Sequence, residues 1–375
     1  MTHVAQPSTS RRHLTYVDLA KGIAIVLVVW GHFVDQVLNA NVYEELHALN
    51  LWLQTTIYSF HMPLFFALSG LLAGIPGGSF HRPGKYGDSL GKRSVRLLLP
   101  YLTVSLLQVP MRAVGRDHMP LGELPREMLV IFYDPSVQLW FIYALFIMFL
   151  IMPLIERTTG GRNWLTATVL VAARCSMRYI DFPYCEVDTI LGSTIYFYVG
   201  LLLGRSYARG AGWQGVARYF WPSLGAFVVF ANLRWCMAVD LVRSPYGVLS
   251  SVVGLGAGLT GTLVFLRVAQ ILSDYPRSWA FRRVRALGRY SYDIYLYHYM
   301  IMGTLNALCM RRGLPYAVLM AIMVLPSIAG PLLWGRFVVD RSKVLGLLCR
   351  GVRPRRRLER GDGGRSGDES EDRSP

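Results

Sequence analysis

Long apolar stretches alternate with short polar connections along most of the chain. A helix of about 20 residues, rising 1.5 Å per residue, crosses a hydrocarbon core of about 30 Å, and roughly ten stretches approach that length. The stretch at 164–180 is the least apolar, because Arg174 and Arg178 interrupt it. The pattern predicts an all-α, polytopic membrane protein with about ten transmembrane helices. The predicted spans are 19–38, 50–74, 95–113, 138–156, 164–180, 188–204, 219–237, 247–268, 289–309 and 315–338.

The distribution of basic residues predicts the orientation of these helices. If the N-terminus is cytoplasmic, the connections on that side carry most of the Arg and Lys residues, as membrane proteins usually do. Both termini are therefore predicted to be cytoplasmic. The predicted division is a cytoplasmic segment at 1–15, a transmembrane domain at 16–340, and a tail at 341–375. The tail is basic and then acidic, has no apolar periodicity, and is expected to be disordered.

The composition limits the classes of function. The 375 residues are 53% hydrophobic and 13% aromatic, and the mean hydropathy of +0.34 is too high for an ordinary soluble enzyme. The formal charge of +16 lies between apolar segments rather than on one polar domain, which favours a membrane lipid partner over nucleic acid. Five cysteines show no paired short spacing, so neither a metal nor a disulfide framework is expected. The oligomeric state is not predicted.

The first predicted span contains ionisable residues inside an apolar run. Lys21 and His32 are eleven positions apart, so they share one helix face, roughly 16 Å apart along the axis. Asp35 lies one turn beyond His32 and is positioned to hold the second ring nitrogen. Ionisable groups inside membranes are usually functional, but a structural histidine and a lysine that snorkels to the headgroups are the competing interpretation. Asp18 is a lesser candidate.

The second and third spans add further candidates. His61 stands among apolar residues at nearly the depth of His32, and the competing interpretation is a structural hydrogen bond between helices. Lys92, Arg93 and Arg96 lie within about one helical turn at the cytoplasmic start of the third span. Guanidinium groups bind phosphates in a bidentate manner, although basic residues at this position also serve topology.

These stretches together resemble the acyltransferase family 3 of integral membrane O-acyltransferases. The resemblance covers most of residues 12–340. Among the short members of the family, those of the fucose 4-O-acetylase branch, which includes nodulation-factor O-acetyltransferases, are most similar to this chain in the phrases YVDLAKGIAIVLVVWGHF and HMPLFFALSG. The residues that carry the resemblance are Lys21 followed by ten residues and His32, the pair Gly31-His32, the phrase HMPLFFALSG, Arg93-x-x-Arg96, QLWFIYALF at 138–146 and GRYSYDIYLYHYMIM at 288–302.

The resemblance implies an enzyme of the bacterial inner membrane that transfers an acyl group, commonly acetyl from acetyl-CoA, to a hydroxyl of a carbohydrate or glycolipid acceptor. His32 is the predicted catalytic base or nucleophile, because a neutral imidazole can serve in either role. Arg93 and Arg96, with Lys92, are predicted to bind the coenzyme phosphates, and Lys21 to stabilise donor charge or to line the path inward. His61, His298 and Trp140 are candidates for substrate binding. Packing for His298 and membrane-interface anchoring for Trp140 are the competing interpretations.

Two other classes of function stay open on the sequence. A carbohydrate or lipid exporter also has about ten helices with intramembrane charges, and Arg174 with Arg178 is suited to line a polar path. A membrane-bound binding or sensory protein is the third class. Among enzymes, the acceptor is the fucose of a lipochitooligosaccharide or another exported glycan, such as an exopolysaccharide, an O-antigen or a glucan.

Overall fold

Helices make up nearly all of the chain that the structure describes. The computed structural model describes residues 9–80, 86–115, 120–133, 135, 138–177, 179, 185–209, 214–241 and 247–352, and no strand occurs in these ranges. The helices are α1 (Thr9–Ala40), α2 (His47–Gly74), α3 (Tyr86–Gly115), α4 (Leu124–Val130), α5 (Trp140–Thr158), α6 (Asn163–Ser176), α7 (Val187–Ala208), α8 (Gln214–Arg218), α9 (Phe220–Ala238), α10 (Gly247–Ser273), α11 (Trp279–Arg289), α12 (Ser291–Cys309), α13 (Tyr316–Phe337) and α14 (Lys343–Arg350).

Each of the ten predicted spans overlaps one of these helices, and the all-helical architecture is confirmed. Fewer of them are long and apolar enough to cross a membrane. Helix α6 has 14 residues and extends only about 21 Å, while the tyrosines, Asp293 and His298 lower the hydropathy of α12. In the described part of the chain, seven helical stretches meet both criteria, namely Thr15–Ala40, Glu44–Gly74, Leu90–Met111, Trp140–Thr158, Val187–Ala208, Gly247–Ser273 and Tyr316–Arg341. The predicted orientation of the termini stays a prediction.

Helix α1 lies in the interior of the bundle. It packs against α2, α10, α11, α12 and α13. Its apolar side chains, such as Phe33 and Val34 next to His32, are fully buried. A histidine on this helix therefore faces neighbouring helices rather than open lipid.

Helices α2 and α7 pack closely through glycines. Each carries two glycines four residues apart, Gly70 and Gly74 on α2 and Gly200 and Gly204 on α7. A Cβ atom at Gly70 would lie 1.9 Å from the carbonyl oxygen of Phe197 on α7, so the two main chains are in direct contact. Small residues at this spacing allow membrane helices to approach closely. The contact fixes α2, which carries His61, against α7.

The end of the described chain differs from the predicted disordered tail, which was placed at 341–375. Residues Lys343–Arg350 form α14, and the Ser342 hydroxyl caps it by accepting a hydrogen bond of 3.2 Å from the amide of Leu345. Arg350 donates to both carboxylate oxygens of Asp293 on α12 at 2.8 and 3.1 Å. The buried carboxylate thus joins the last turn of this helix to α12. Predicted segments at 1–8 and 353–375 lie outside the described residues.

Candidate functional site

Three histidines from three helices lie close together. The rings of His32 on α1 and His298 on α12 are 5.3 Å apart between centroids. Tyr58 on α2 connects the group, since its hydroxyl is 3.2 Å from Nδ1 of His32 and its ring centroid is 5.0 Å from that of His61. The structure thus brings together the three histidines that the sequence singled out, and it adds a tyrosine.

The hydrogen bonds of two histidines fix their neutral tautomers. Nδ1 of His61 is 2.7 Å from the carbonyl oxygen of Ile57, and Nδ1 of His298 is 2.8 Å from that of Ile294. A carbonyl oxygen only accepts, so in each neutral ring Nδ1 carries the hydrogen and Nε2 carries the lone pair. Nε2 of His298 is buried and has no hydrogen-bond partner among the described residues. Beside His32 there is therefore a buried, unused acceptor nitrogen.

A cavity of about 230 Å³ opens beside these rings. It lies towards the end of the bundle where α1 finishes, which we call the far end; the end where α1 begins is the near end. His32, His61 and Trp140 line it, whereas His298 is not among its lining residues and packs behind His32. Pockets that enclose drug-sized ligands have volumes of about 300–1,000 Å³, and this cavity is smaller. One sugar unit therefore fits it better than a whole oligosaccharide. The remaining lining residues are Val28, Tyr58, Ser59, Met62, Pro63, Gln138, Arg174, Ser193, Tyr196, Arg234, Gly254 and Tyr295.

Asp35 has partners other than the one predicted for it. Its carboxylate accepts hydrogen bonds from Gln54 on α2 at 2.6 Å and from Asn39 at 3.1 Å. The group that faces Nδ1 of His32 is the hydroxyl of Tyr58. Asp35 therefore links α1 to α2 one turn beyond His32, and its catalytic role stays a prediction.

The predicted phosphate-binding residues lie together at the near end. Arg93 is partly buried: its Nε donates to the hydroxyl of Ser79 at 2.5 Å, and its guanidinium lies 3.7 Å from the ring centroid of Phe149. Lys92 and Arg96 are exposed. One cation of the cluster is therefore fixed by packing, while two remain available to a ligand.

Lys21 belongs to the near end as well. Its charge is attracted by Asp18 and repelled by Arg96, so it lies near the basic cluster on α3. Lys21 and the three basic residues of α3 do not line the histidine cavity. The predicted site is thus divided between a cationic near end and a histidine-lined cavity towards the far end.

The sequence analysis missed several residues of the cavity. Tyr58 lies three positions before His61, which is one helical turn, so its presence on the same face was readable from the sequence. Arg234 interrupts the apolar run of α9 and was a candidate by the rule that intramembrane charges are functional. Arg174 was considered only as part of a transport path. Arg178, which the sequence analysis paired with Arg174, lies outside the described residues.

The clustered histidines do not form a recognisable metal site. Within the described ranges, no group of three or more His, Cys, Asp or Glu side chains is arranged to hold a metal ion.

Comparisons with known proteins agree on one family. The family model described as acyltransferase domain matches residues 14–335. Nodulation protein NolL of Mesorhizobium japonicum is 31% identical over 237 residues, which cover 60% of this chain and 57% of that protein. Nodulation protein NolL of Sinorhizobium fredii is 32% identical over 210 residues, which cover 54% and 51%. The chain thus spans little more than half the length of these relatives. No solved structure matches.

Proposed function

The chain belongs to the acyltransferase domain family, and on that premise we propose that it is a membrane O-acetyltransferase that moves an acetyl group from acetyl-CoA to a carbohydrate hydroxyl. The observation that carries the proposal is His32, an imidazole inside the helix bundle that lines a cavity and contacts Tyr58. The relatives named as nodulation proteins, together with the resemblance to the fucose 4-O-acetylase branch, support the fucose of a lipochitooligosaccharide as the acceptor.

In the proposed reaction His32 acts as the general base. The reaction requires the tautomer in which Nδ1–H donates to the oxygen of Tyr58, 3.2 Å away, because that tautomer leaves the lone pair of Nε2 for the substrate. The sugar hydroxyl loses its proton to Nε2 as its oxygen attacks the thioester carbon. The carbon–sulfur bond then breaks, and the proton passes from His32 to the leaving thiolate. The products are the acetyl ester and free coenzyme A, and no other reactant is needed.

The basic cluster at the near end fits the phosphates of the donor. Exposed Lys92 and Arg96 present mobile cations, while Arg93 is held against Phe149. Acetyl-CoA supplies the activated acetyl group. Because His32 lies roughly 16 Å along α1 from Lys21, the donor must extend from the cluster into the bundle to reach the imidazole.

Two groups at the start of α5 suit the sugar. Trp140 offers an aromatic face for stacking, and Gln138 offers an amide for hydrogen bonds to hydroxyl groups; both line the cavity with His32. This arrangement orients one hydroxyl against the thioester, which is the main entropic contribution to such a reaction.

Purified protein in detergent tests the proposal directly. We expect release of free coenzyme A, measured with a thiol reagent, only when acetyl-CoA and a fucosylated chitooligosaccharide are both present. Mass spectrometry is expected to show a gain of one acetyl unit on the fucose. An unmodified acceptor, with no coenzyme A released by any fucosylated or exported glycan, would contradict the proposal. The exporter alternative predicts movement of the glycan across vesicles without acetyl-CoA consumption.

Replacement of Arg96 by Ala is expected to weaken donor binding. Loss of one charge-assisted hydrogen bond costs about 1.5–3 kcal/mol, so the KM for acetyl-CoA should rise at least about tenfold while the acceptor KM stays unchanged. The matched control is Arg157→Ala, because Arg157 is an exposed arginine at the same end, in the last turn of α5. Equal donor KM values for Arg96→Ala and the wild type would remove Arg96 from the donor site.

A further inference from the structure

Two arginines line the histidine cavity on the side formed by α6, α9 and α10. Arg174 comes from α6 and Arg234 from α9, and both belong to the cavity that contains His32. Neither has a part in the reaction described above. Two guanidinium groups inside a membrane domain are costly and call for a function.

The two guanidinium groups meet at one point on α10. A Cβ atom at Gly254 would lie 2.9 Å from Nη1 of Arg234 and 3.0 Å from Nη2 of Arg174. Those two nitrogens are therefore at most about 6 Å apart, and the absence of a side chain at Gly254 lets both approach α10. Like charges this close repel each other, and an anion that contacts both would remove the repulsion.

The contacts of Arg174 position it without neutralising it. Its Nε donates to the carbonyl oxygen of Ser251 at 3.2 Å, and its Nη1 donates to that of Gly192 at 2.6 Å. The ring centroid of Tyr196 is 5.3 Å from its Cζ. These partners are uncharged, and Nη2 of Arg174 and Nη1 of Arg234 approach the same side of Gly254. No Asp or Glu stands among the described residues that line the cavity.

We propose that Arg174 and Arg234 form an oxyanion subsite that binds a phosphate or sulfate group of the carbohydrate acceptor. The assignment rests on the proposed function, because it places the acceptor hydroxyl at His32 in the same cavity. The donor phosphates have their own basic cluster at the near end, so this pair serves the other substrate. A carboxylate is satisfied by one guanidinium fork, whereas a tetrahedral oxyanion has enough oxygens for two.

Ligand-induced stabilisation of the purified full-length chain tests the subsite without acyl transfer. The probe is methyl phosphate, titrated against potassium chloride at equal ionic strength, with the melting temperature as readout. We expect methyl phosphate to stabilise the wild type, and Arg234→Gln to bind it about ten- to a hundredfold more weakly. Because Arg174→Gln also loses two carbonyl contacts, Arg174→Lys is the companion variant: it retains the charge and should retain most of the binding.

Three controls separate this site from the other basic surfaces. His32→Ala keeps both arginines, the double variant Arg93→Gln/Arg96→Gln removes the donor cluster, and Arg311→Gln removes an exposed arginine beyond the last residue of α12. All three should retain the Arg234-dependent stabilisation by methyl phosphate.

Several results would overturn the proposal. One is no stabilisation of the wild type beyond that of chloride, and another is equal stabilisation of the wild type and Arg234→Gln. Nanodiscs with phosphatidic acid provide a third: if the lipid stabilises through Arg234 and methyl phosphate does not, the subsite holds a lipid headgroup and not the acceptor.

The acyl-transfer assay separates this proposal from the proposed function. If Arg234→Gln acetylated both neutral and phosphorylated fucosides at the wild-type rates, the proposed function would stand and the subsite would be removed. Arg234-dependent phosphate binding without coenzyme A release from any acceptor would remove the function and leave the anion site.

Discussion

Replacement of His32 by Ala is expected to abolish acetyl transfer while the protein remains folded in the membrane. The variant removes the proposed general base, whose contribution is typically about 10²–10⁴-fold in rate. The ring of His32 borders a cavity that is large enough for water. Truncation of this side chain enlarges that cavity and should cost little stability. The measurement is the rate of coenzyme A release at saturating donor and acceptor, with the melting temperature as the check on folding.

Matched variants make this result interpretable. His47→Ala changes an exposed histidine at the first residue of α2 and should retain full activity. Tyr58→Phe removes only the hydroxyl at Nδ1 of His32 and should lower the rate by about three- to tenfold, the effect of one hydrogen bond. A His32→Ala protein that acetylates at the wild-type rate would remove the catalytic assignment and would shift attention to His61 and His298.

The helical architecture was predictable from the lengths of the apolar stretches, because a segment that crosses a membrane must satisfy its own backbone hydrogen bonds. The family resemblance, read from phrases around His32 and Arg93, is confirmed by the match over residues 14–335. The number of membrane-crossing helices stays a prediction, since α6 is short and α12 carries polar groups, and seven helical stretches of the described residues are long and apolar enough to cross. Helix α14 was not predicted, because its eight residues were assigned to the polar tail, and its ion pair with Asp293 comes from a distant part of the sequence.

The candidate site was predictable only in part, for a physical reason. Helical spacing places Lys21 and His32 on one face, but it does not specify which helix that face contacts. The cavity draws residues from several helices, so the meeting of Trp140 with Arg234 depends on the tertiary arrangement. Intramembrane charge marks a residue as a candidate, and the structure supplies the neighbours that suggest a role.

Replacement of Gly200 by Ala is expected to destabilise the whole bundle. A Cβ atom there would lie 1.9 Å from the carbonyl oxygen of Ala67 on α2, and main chain cannot move aside as a flexible side chain can. The two helices would have to separate, which breaks the contact that holds α2, with Tyr58 and His61, against α7. Overpacking typically lowers the free energy of unfolding by about 1–3 kcal/mol when side chains adjust. Because main chain is in contact here, we expect Gly200→Ala to lower it by at least about 2 kcal/mol.

The chain offers controls of the same chemical change in open surroundings. Gly225 on α9 and Gly303 on α12 are helical glycines at which an added Cβ atom would meet no described atom within 4 Å, so Gly225→Ala and Gly303→Ala should leave stability unchanged or raise it slightly through helix propensity. Thermal denaturation of the detergent-purified proteins compares the three. A lower melting temperature for Gly200→Ala, with an unchanged or higher one for the two controls, would establish that close main-chain packing causes the destabilisation, and not loss of glycine as such. If Gly200→Ala had the same melting temperature as the two controls, α2 and α7 would have to lie further apart than the structure places them. The position of Tyr58 and His61 beside His32 would then lose support.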